Sequence, residues 1–435
     1  GRPNGHPALA APYAGRNCWP LWAPDGGGLY FVSDRSGWAN LYRWDGDSAH
    51  AVCPMAAEFA APQWVFGEST FGFASATVAV CAFTSGGFWR LATIDLASGE
   101  LNGIPVPHSD IAHLRVAGRK VYYRGGAPTL ATSLIELDLD SGAFATFRGP
   151  EPHRLGVGIF SAPEPIEFPS SGGSTARGFL YPPHNESYTG EPGTRPPLIV
   201  ISHGGPTAAA STALDLKIQF WTTRGFAVLD VNYRGSTGFG RAYREALNGA
   251  WGCADVDDCV AGALYLVARG SADPDRLAIR GSSAGGYTCL CALTFHDVFH
   301  AGACYYGVSD LEALARDTHK FESHYTDTLV GPYPERRDLY RERSPIHFID
   351  RLACPLIIFQ GLQDEIVPPS QSESVVTALR AKGIAVEYLT FADEGHGFRH
   401  ASNGRRALEA ELAFYARLFG FTPAGEPSAA AVAAP

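Results

Sequence analysis

The run Gly281-Ser282-Ser283-Ala284-Gly285 constrains this 435-residue chain more than any other feature. Asp273-Pro-Asp-Arg leads into the apolar stretch Leu277-Ala-Ile-Arg280, which reads as a short strand, and Tyr287-Thr-Cys-Leu-Cys-Ala-Leu293 reads as a buried helix behind it. Strand, Gly-rich turn and helix make a sharp elbow, in which one residue takes strained backbone angles and its side chain stands clear of the sheet. Glycines on either side remove side chains that would collide. Only Ser283 fits the Gly-x-Ser-x-Gly frame, because centring it on Ser282 needs glycines where Arg280 and Ala284 stand. Ser283 is therefore the candidate nucleophile.

A serine nucleophile needs a base, and the base needs an orienting acid. Ala353-Cys-Pro-Leu-Ile-Ile-Phe-Gln360 is a continuous apolar run of the kind that forms a strand buried on both faces, and it leads into Gly361-Leu-Gln-Asp364. Ser370 to Lys382 has helical apolar spacing at Val375, Val376 and Leu379, and Ile384 to Phe391 reads as another strand that opens into Ala392-Asp-Glu-Gly-His396-Gly-Phe398. Asp364 and His396 thus fall on successive strand-end loops. The order Ser283, Asp364, His396 is that of an α/β-hydrolase triad, with His396 as general base and Asp364 holding its tautomer. His400 is the nearest rival histidine, but it lies closer to the final helix and lacks flanking glycines. The developing oxyanion needs two backbone donors. One expected donor is the N–H of Ala284; the other is that of Gly205, in His203-Gly-Gly-Pro206 after the predicted strand Pro197-Leu-Ile-Val-Ile-Ser202.

Several further stretches accompany these residues: Asn232-Tyr-Arg-Gly-Ser-Thr-Gly-Phe-Gly240, Trp251-Gly-Cys-Ala-Asp255, Gly286 after the elbow, Val367-Pro368 after Asp364, and Gly395-His-Gly-Phe398. With His203-Gly-Gly-Pro206 and the triad, they make roughly residues 160 to 420 resemble the prolyl oligopeptidase family of serine peptidases, in its dipeptidyl-peptidase and acylaminoacyl-peptidase branch. The resemblance implies a peptidase gated by a propeller that admits short peptides. It also implies a first-position pocket lined after Cys304-Tyr-Tyr-Gly-Val-Ser309, with Leu311, Leu314 and Phe321 as members, each of which could equally be core. Relatives that bind two residues before the scissile bond commonly carry Arg or Asn two positions past the triad Asp. Here that position is Ile366, which donates no side-chain hydrogen bond. The motifs Asn232 to Gly240 and Trp251-Gly252 are expected to be structural.

The first third of the chain has a different grain. Leu41-Tyr-Arg-Trp-Asp45, Leu91-Ala-Thr-Ile-Asp95 and Leu134-Ile-Glu-Leu-Asp138 recur 50 and 43 residues apart, and Trp22 and Trp64, each two residues after a Pro, recur 42 apart. Short alternating strands and Gly turns at such a period read as propeller blades, about three of them, with a small β-sandwich as the alternative. The expected organisation is a partial β-propeller over 1–150, a Pro-rich linker over 151–165, an α/β-hydrolase domain with a doubly wound, mostly parallel sheet over 166–421, and a disordered tail over 422–435. A closed propeller needs at least four blades, so upstream sequence that completes it is expected. The start at Gly1-Arg-Pro, with Met55 as the sole methionine, accords with that expectation.

Composition narrows the partners. A formal charge of −10 without a basic stripe argues against nucleic acid, and no apolar run approaches a membrane span. Nine cysteines, an odd count without metal-ligand spacing, read as free thiols in a reducing, cytoplasmic setting. Neither metal nor cofactor is expected. The reading is a serine exopeptidase acting on short peptides or aminoacyl amides, favoured as an aminopeptidase. Acylaminoacyl- or dipeptidyl-peptidase, esterase and a non-catalytic propeller binding protein are the alternatives.

Overall fold

The computed structural model describes residues 15–150 and 155–423. Most of the expected tail and four linker residues lie outside that range. The described chain divides into two units, of which the first holds residues 15–150 with the excursions Ser211–Leu214 and Thr237–Ala242.

The first unit is built from three four-stranded antiparallel sheets, each made of strands consecutive in sequence. The first sheet comprises β1 (Asn17–Trp22), β2 (Leu29–Ser33), β3 (Asn40–Trp44) and β4 (Ala49–Ala51). The second comprises β5 (Phe71–Phe73), β6 (Val78–Ser85), β7 (Phe88–Asp95) and β8 (Leu101–Ile104). The third comprises β9 (Asp110–Ala117), β10 (Lys120–Ala127), β11 (Leu130–Asp138) and β12 (Phe144–Arg148). Alternation along β6 decides between blades and a sandwich. Cys81 and Phe83 enter one core with Val32, Leu41 and Phe59, whereas Val80 and Ala82 enter another with Leu114, Val121 and Ile135. The middle sheet is therefore buried on both faces, as a propeller blade is and a sheet of a two-layer sandwich is not.

The sequence repeat has a local cause. Its three copies lie on β3, β7 and β11, the third strand of each sheet, and each ends in an aspartate that closes the turn to the fourth. Asp95 Oδ1 accepts from the Ser98 amide at 2.8 Å, and Asp138 Oδ1 from the Ser141 amide at 2.9 Å, with Gly99 and Gly142 following at positive φ. Asp45 accepts from the Asp47 and Ser48 amides in the same way. The paired tryptophans are not equivalent: Trp22 ends β1, whereas Trp64 lies in a turn ahead of β5.

The second unit carries an eight-stranded sheet in the order β13-β14-β16-β15-β17-β18-β19-β20. The strands are β13 (Glu164–Pro169), β14 (Thr175–Tyr181), β15 (Leu198–Ser202), β16 (Ala227–Asn232), β17 (Leu277–Ser282), β18 (Ala301–Tyr305), β19 (Leu356–Gly361) and β20 (Val386–Phe391). The helices are α1 (Leu216–Thr222), α2 (Arg241–Glu245), α3 (Ala254–Ala268), α4 (Ala284–Phe295), α5 (Leu311–Asp317), α6 (Tyr325–Leu329), α7 (Arg337–Glu342), α8 (Pro369–Ala381) and α9 (Ala401–Phe419). Pairing is parallel from β16 through β20 and antiparallel only at β13 and β14, which is the α/β-hydrolase arrangement. The apolar runs predicted as strands form β15, β17, β19 and β20. Val200, Leu229 and Ile279 share a core with α3 and α4.

The expected linker is shorter than its prolines suggest. Ser161 is buried, its amide bonded to Gln219 Oε1 at 2.8 Å and its hydroxyl donating to the Pro182 carbonyl, and Glu164 already starts β13. Pro165 is accommodated because β13 is an edge strand, where a missing N–H interrupts no ladder. Among the described residues no helix is long and apolar enough to cross a membrane. All nine cysteines are free thiols, five of them buried.

Candidate active site

Strand β17 ends at Ser282, α4 begins at Ala284, and Ser283 sits between them with φ 58° and ψ −122°. That backbone conformation is unfavourable for a residue with a β-carbon. It is held by the Ser283 amide, which donates to the Tyr305 carbonyl at 3.0 Å, and by close approaches on both sides. A β-carbon on Gly281 would lie 2.1 Å from the Gly285 carbonyl oxygen, and one on Gly285 would lie 2.0 Å from that of Ser202. Both glycines are required by contact.

The Ser283 hydroxyl meets His396 Nε2 at 2.9 Å, and His396 Nδ1 meets Asp364 Oδ2 at 2.8 Å. The three predicted side chains thus form one continuous chain of hydrogen bonds. Asp364 is buried, and its other oxygen accepts the amides of Ile366 and Val367, both at 2.9 Å. Those two donors fix the carboxylate plane. His400 stands apart: it is the N-cap of α9, its ring is exposed, and it faces Asp393 at 3.7 Å.

Two features missed in the sequence hold the His396 loop. Glu394 is buried and accepts from the amides of Arg399 at 2.8 Å and His400 at 2.9 Å and from Asn403 Nδ2. Burial pushes its carboxyl up, but these donors outweigh burial and bring it below its ordinary range. Tyr306, at a positive φ of 38°, lays its ring edge to face against His396 with centroids 4.8 Å apart, and touches Phe398 as well. A Glu two residues before the His was the available signal; Tyr306 offered none.

The loop after β15 brings Gly204 against Ser283: a β-carbon there would lie 3.6 Å from Ser283 Cβ. Gly205 follows at φ 121°, and a β-carbon on it would crowd the Thr207 and Ala208 amides at 2.9 and 2.8 Å. Ala284 is the first residue of α4, so its N–H is among the amides that the helix leaves unpaired. The motif Asn232 to Gly240 braces this loop. Tyr233 stacks on His203 with centroids 4.2 Å apart and donates to the Pro206 carbonyl at 2.8 Å, and the Ala210 amide bonds Asn232 Oδ1. Burial pushes the His203 imidazole down to about 4, so it stays neutral there. Trp251-Gly252 and Asp255 clamp α4 itself. Trp251 packs on Tyr287 at 4.6 Å, and Asp255 accepts from the Gly252 amide at 2.7 Å and from Thr288 Oγ1 at 2.6 Å.

The expected pocket residues scatter. Leu311 is fully buried in the main core and Leu314 packs partly against it, so Leu311 has no surface to offer a ligand. Phe321 is exposed, and Ile366 is 36% exposed beside Asp364.

Residues 212–422 match the prolyl oligopeptidase family profile. Among curated proteins, the chain is 34% identical to dipeptidyl aminopeptidase BIII of Pseudoxanthomonas mexicana over 264 residues, 59% of this chain and 38% of that protein. Among solved structures, it is similar to a puromycin hydrolase, with 39% identity and a TM-score of 0.90 over 95% of this chain and 63% of that one. It is likewise similar to a puromycin-hydrolyzing peptidase of Mycobacterium tuberculosis, with 42% identity and a TM-score of 0.91 over 94% of this chain and 63% of that one. The chain spans less than two thirds of the length of each of these relatives. Its sheet order, its strained serine and its profile match together make residues 212–422 similar to the catalytic domain of the prolyl oligopeptidase family of serine peptidases.

Proposed function

We propose that this chain carries the catalytic machinery of a serine exopeptidase that hydrolyses short peptides or aminoacyl amides, chiefly as an aminopeptidase. The observation that carries the reading is the unbroken chain from Asp364 through His396 to a serine held at positive φ. In the proposed cycle His396 Nε2 takes the Ser283 proton as Oγ attacks the scissile carbonyl. The tetrahedral oxyanion is met by the amides of Ala284 and Gly205, the former at the positive end of α4. His396 then protonates the leaving amine as the C–N bond breaks, leaving an acyl-enzyme. Water, deprotonated by the same imidazole, releases the acid and restores Ser283. Nine free thiols support a reducing, cytoplasmic setting.

The preference for a one-residue acyl group rests on Ile366. It lies beside Asp364, held by its own amide, and presents no side-chain donor where two-residue binders commonly place one. The absent bond is worth about 0.5 to 1.5 kcal/mol, so a dipeptidyl anilide should gain less than about tenfold in kcat/KM over the aminoacyl anilide with the same first-position residue. The dipeptidyl aminopeptidase relative favours the second reading, release of dipeptides. Assaying free, N-acetylated and dipeptidyl anilides with the full-length protein separates them. A clear preference for the dipeptidyl or acetylated substrate would overturn the aminopeptidase reading, and faster cleavage of an aminoacyl ester with no amide turnover would make the protein an esterase.

A further inference from the structure

The large sheet has a second polar feature on the face away from α3 and α4. Register places Asp230 of β16 opposite Ile201 of β15, and Ile201 opposite Arg280 of β17, so their side chains share the face that α1 and α9 cover. Arg280 is fully engaged there. Its Nε lies 3.2 Å from Glu411 Oε1 of α9, and its guanidinium rests over the rings of Tyr305 at 5.0 Å and Trp221 at 5.9 Å. Glu411 is engaged too, accepting the hydroxyls of Tyr305 and Tyr415. Asp230 is not: it is 8% exposed, and its Oδ1 has no hydrogen-bond partner. An acceptor left bare in this way normally costs stability, which marks it as a group awaiting a donor.

That oxygen belongs to a residue that lines a cavity of about 280 Å³. Tyr306 and Phe398 supply aromatic wall, Ile218 and Leu408 supply aliphatic wall, and the exposed Asp215 and Lys217 stand at its edge. The charges nearly cancel. Arg280 pairs with Glu411, the exposed Asp215 and Lys217 add one charge of each sign at the edge without forming an ion pair, His203 on the wall is held neutral by burial, and Asp230 is left over. A single uncompensated carboxylate within apolar and aromatic walls suits an ammonium group carried on a compact apolar body. An anion would be repelled by it, and a neutral hydrocarbon would leave it bare.

We propose that this cavity, which adjoins the Ser283 elbow through Gly204, Ser282 and Tyr306 but is not lined by Ser283, Asp364 or His396, is a second binding site that takes a small aromatic or branched primary amine with its ammonium on Asp230. Burial raises the Asp230 carboxyl to about 7, with Asp215 adding in the same direction and Arg280 opposing. The carboxylate that attracts the amine therefore forms as pH rises through neutrality, and binding should strengthen in that direction while the amine stays protonated.

Benzylamine and benzyl alcohol, equal in shape and different in charge, make the test, titrated into the full-length protein by calorimetry. At about pH 8 the amine should bind at least about tenfold more tightly than the alcohol. Its affinity should fall about tenfold or more on going to about pH 5.5. Asp230→Asn should weaken the amine by a similar factor and leave the alcohol unchanged, and Leu408→Trp, which fills the cavity without touching the carboxyl, should abolish binding of both. Equal affinities for amine and alcohol, retention of amine binding by either variant, or no saturable binding to the native protein would overturn the proposal. The last result would leave a water-filled cavity. Because the readout is binding rather than turnover, it stands or falls independently of the peptidase reading.

Discussion

Replacement of Ser283 by alanine is expected to abolish hydrolysis, with kcat falling on the order of a millionfold, while the protein stays folded. The loss is large because His396 has no other proton to accept: its Nε2 faces the Ser283 hydroxyl, and its Nδ1 is committed to Asp364. The fold should be indifferent, since Ser283 makes no side-chain capping bond to α4 and the elbow is held by its backbone amide and two glycine contacts. Alanine keeps the same positive φ at similar cost. Steady-state kinetics on an aminoacyl anilide, melting temperature and labelling by a fluorophosphonate together check this. Near-native turnover or undiminished labelling in the variant would remove Ser283 from the role of nucleophile.

Asp364→Asn should lower kcat by about ten thousandfold with little change in stability, and the geometry says why. The amides of Ile366 and Val367 both donate to Oδ1, so an asparagine there must turn its carbonyl oxygen toward them. Its NH2 then faces His396 Nδ1. Two donors cannot bond each other, so the imidazole must move its proton to Nε2, where it can no longer take the proton of Ser283. A matched crystal structure and pre-steady-state kinetics provide the check. Activity within tenfold of the native protein would show that Asp364 does not set the tautomer.

The meeting of Ser283, Asp364 and His396 was legible because each stands at the end of a strand whose apolar run is unmistakable, and parallel strands deliver their loops to one edge. The supports around them were less so. Asp255 could be seen as part of a motif, but its bonds to the Gly252 amide and Thr288 depend on how α3 meets α4. Leu311 shows the limit for apolar residues: the same letter serves core or pocket, and only the packing of α5 assigns it to the core. Asp230 interrupts an apolar strand in the sequence, yet whether it met a partner could be known only once α1 and α9 were in place. The prolines of the expected linker misled for a definable reason. A missing N–H excludes an interior strand but is harmless at the sheet edge where Pro165 sits.

The two sheet topologies carry a kinetic consequence. Each four-stranded sheet of the first unit pairs strands that are neighbours in sequence, and its aspartate-closed turn forms from a handful of adjacent residues. The large sheet cannot start that way. Its centre joins Leu198 to Leu277, on strands with β16 and three helices between them, and that long loop must close before the contact repays its entropy. Order of assembly should follow: amides of the β6–β7 and β10–β11 hairpins are expected to gain protection from hydrogen exchange well before those of β15 and β17 during refolding. Simultaneous protection of both sets in a pulse-labelling experiment would contradict this order. The elbow, which needs β15 and β17 aligned before Gly285 can sit against Ser202, would then be among the last parts of the molecule to form. Catalytic competence would arrive late, after most of the chain is already shielded from water.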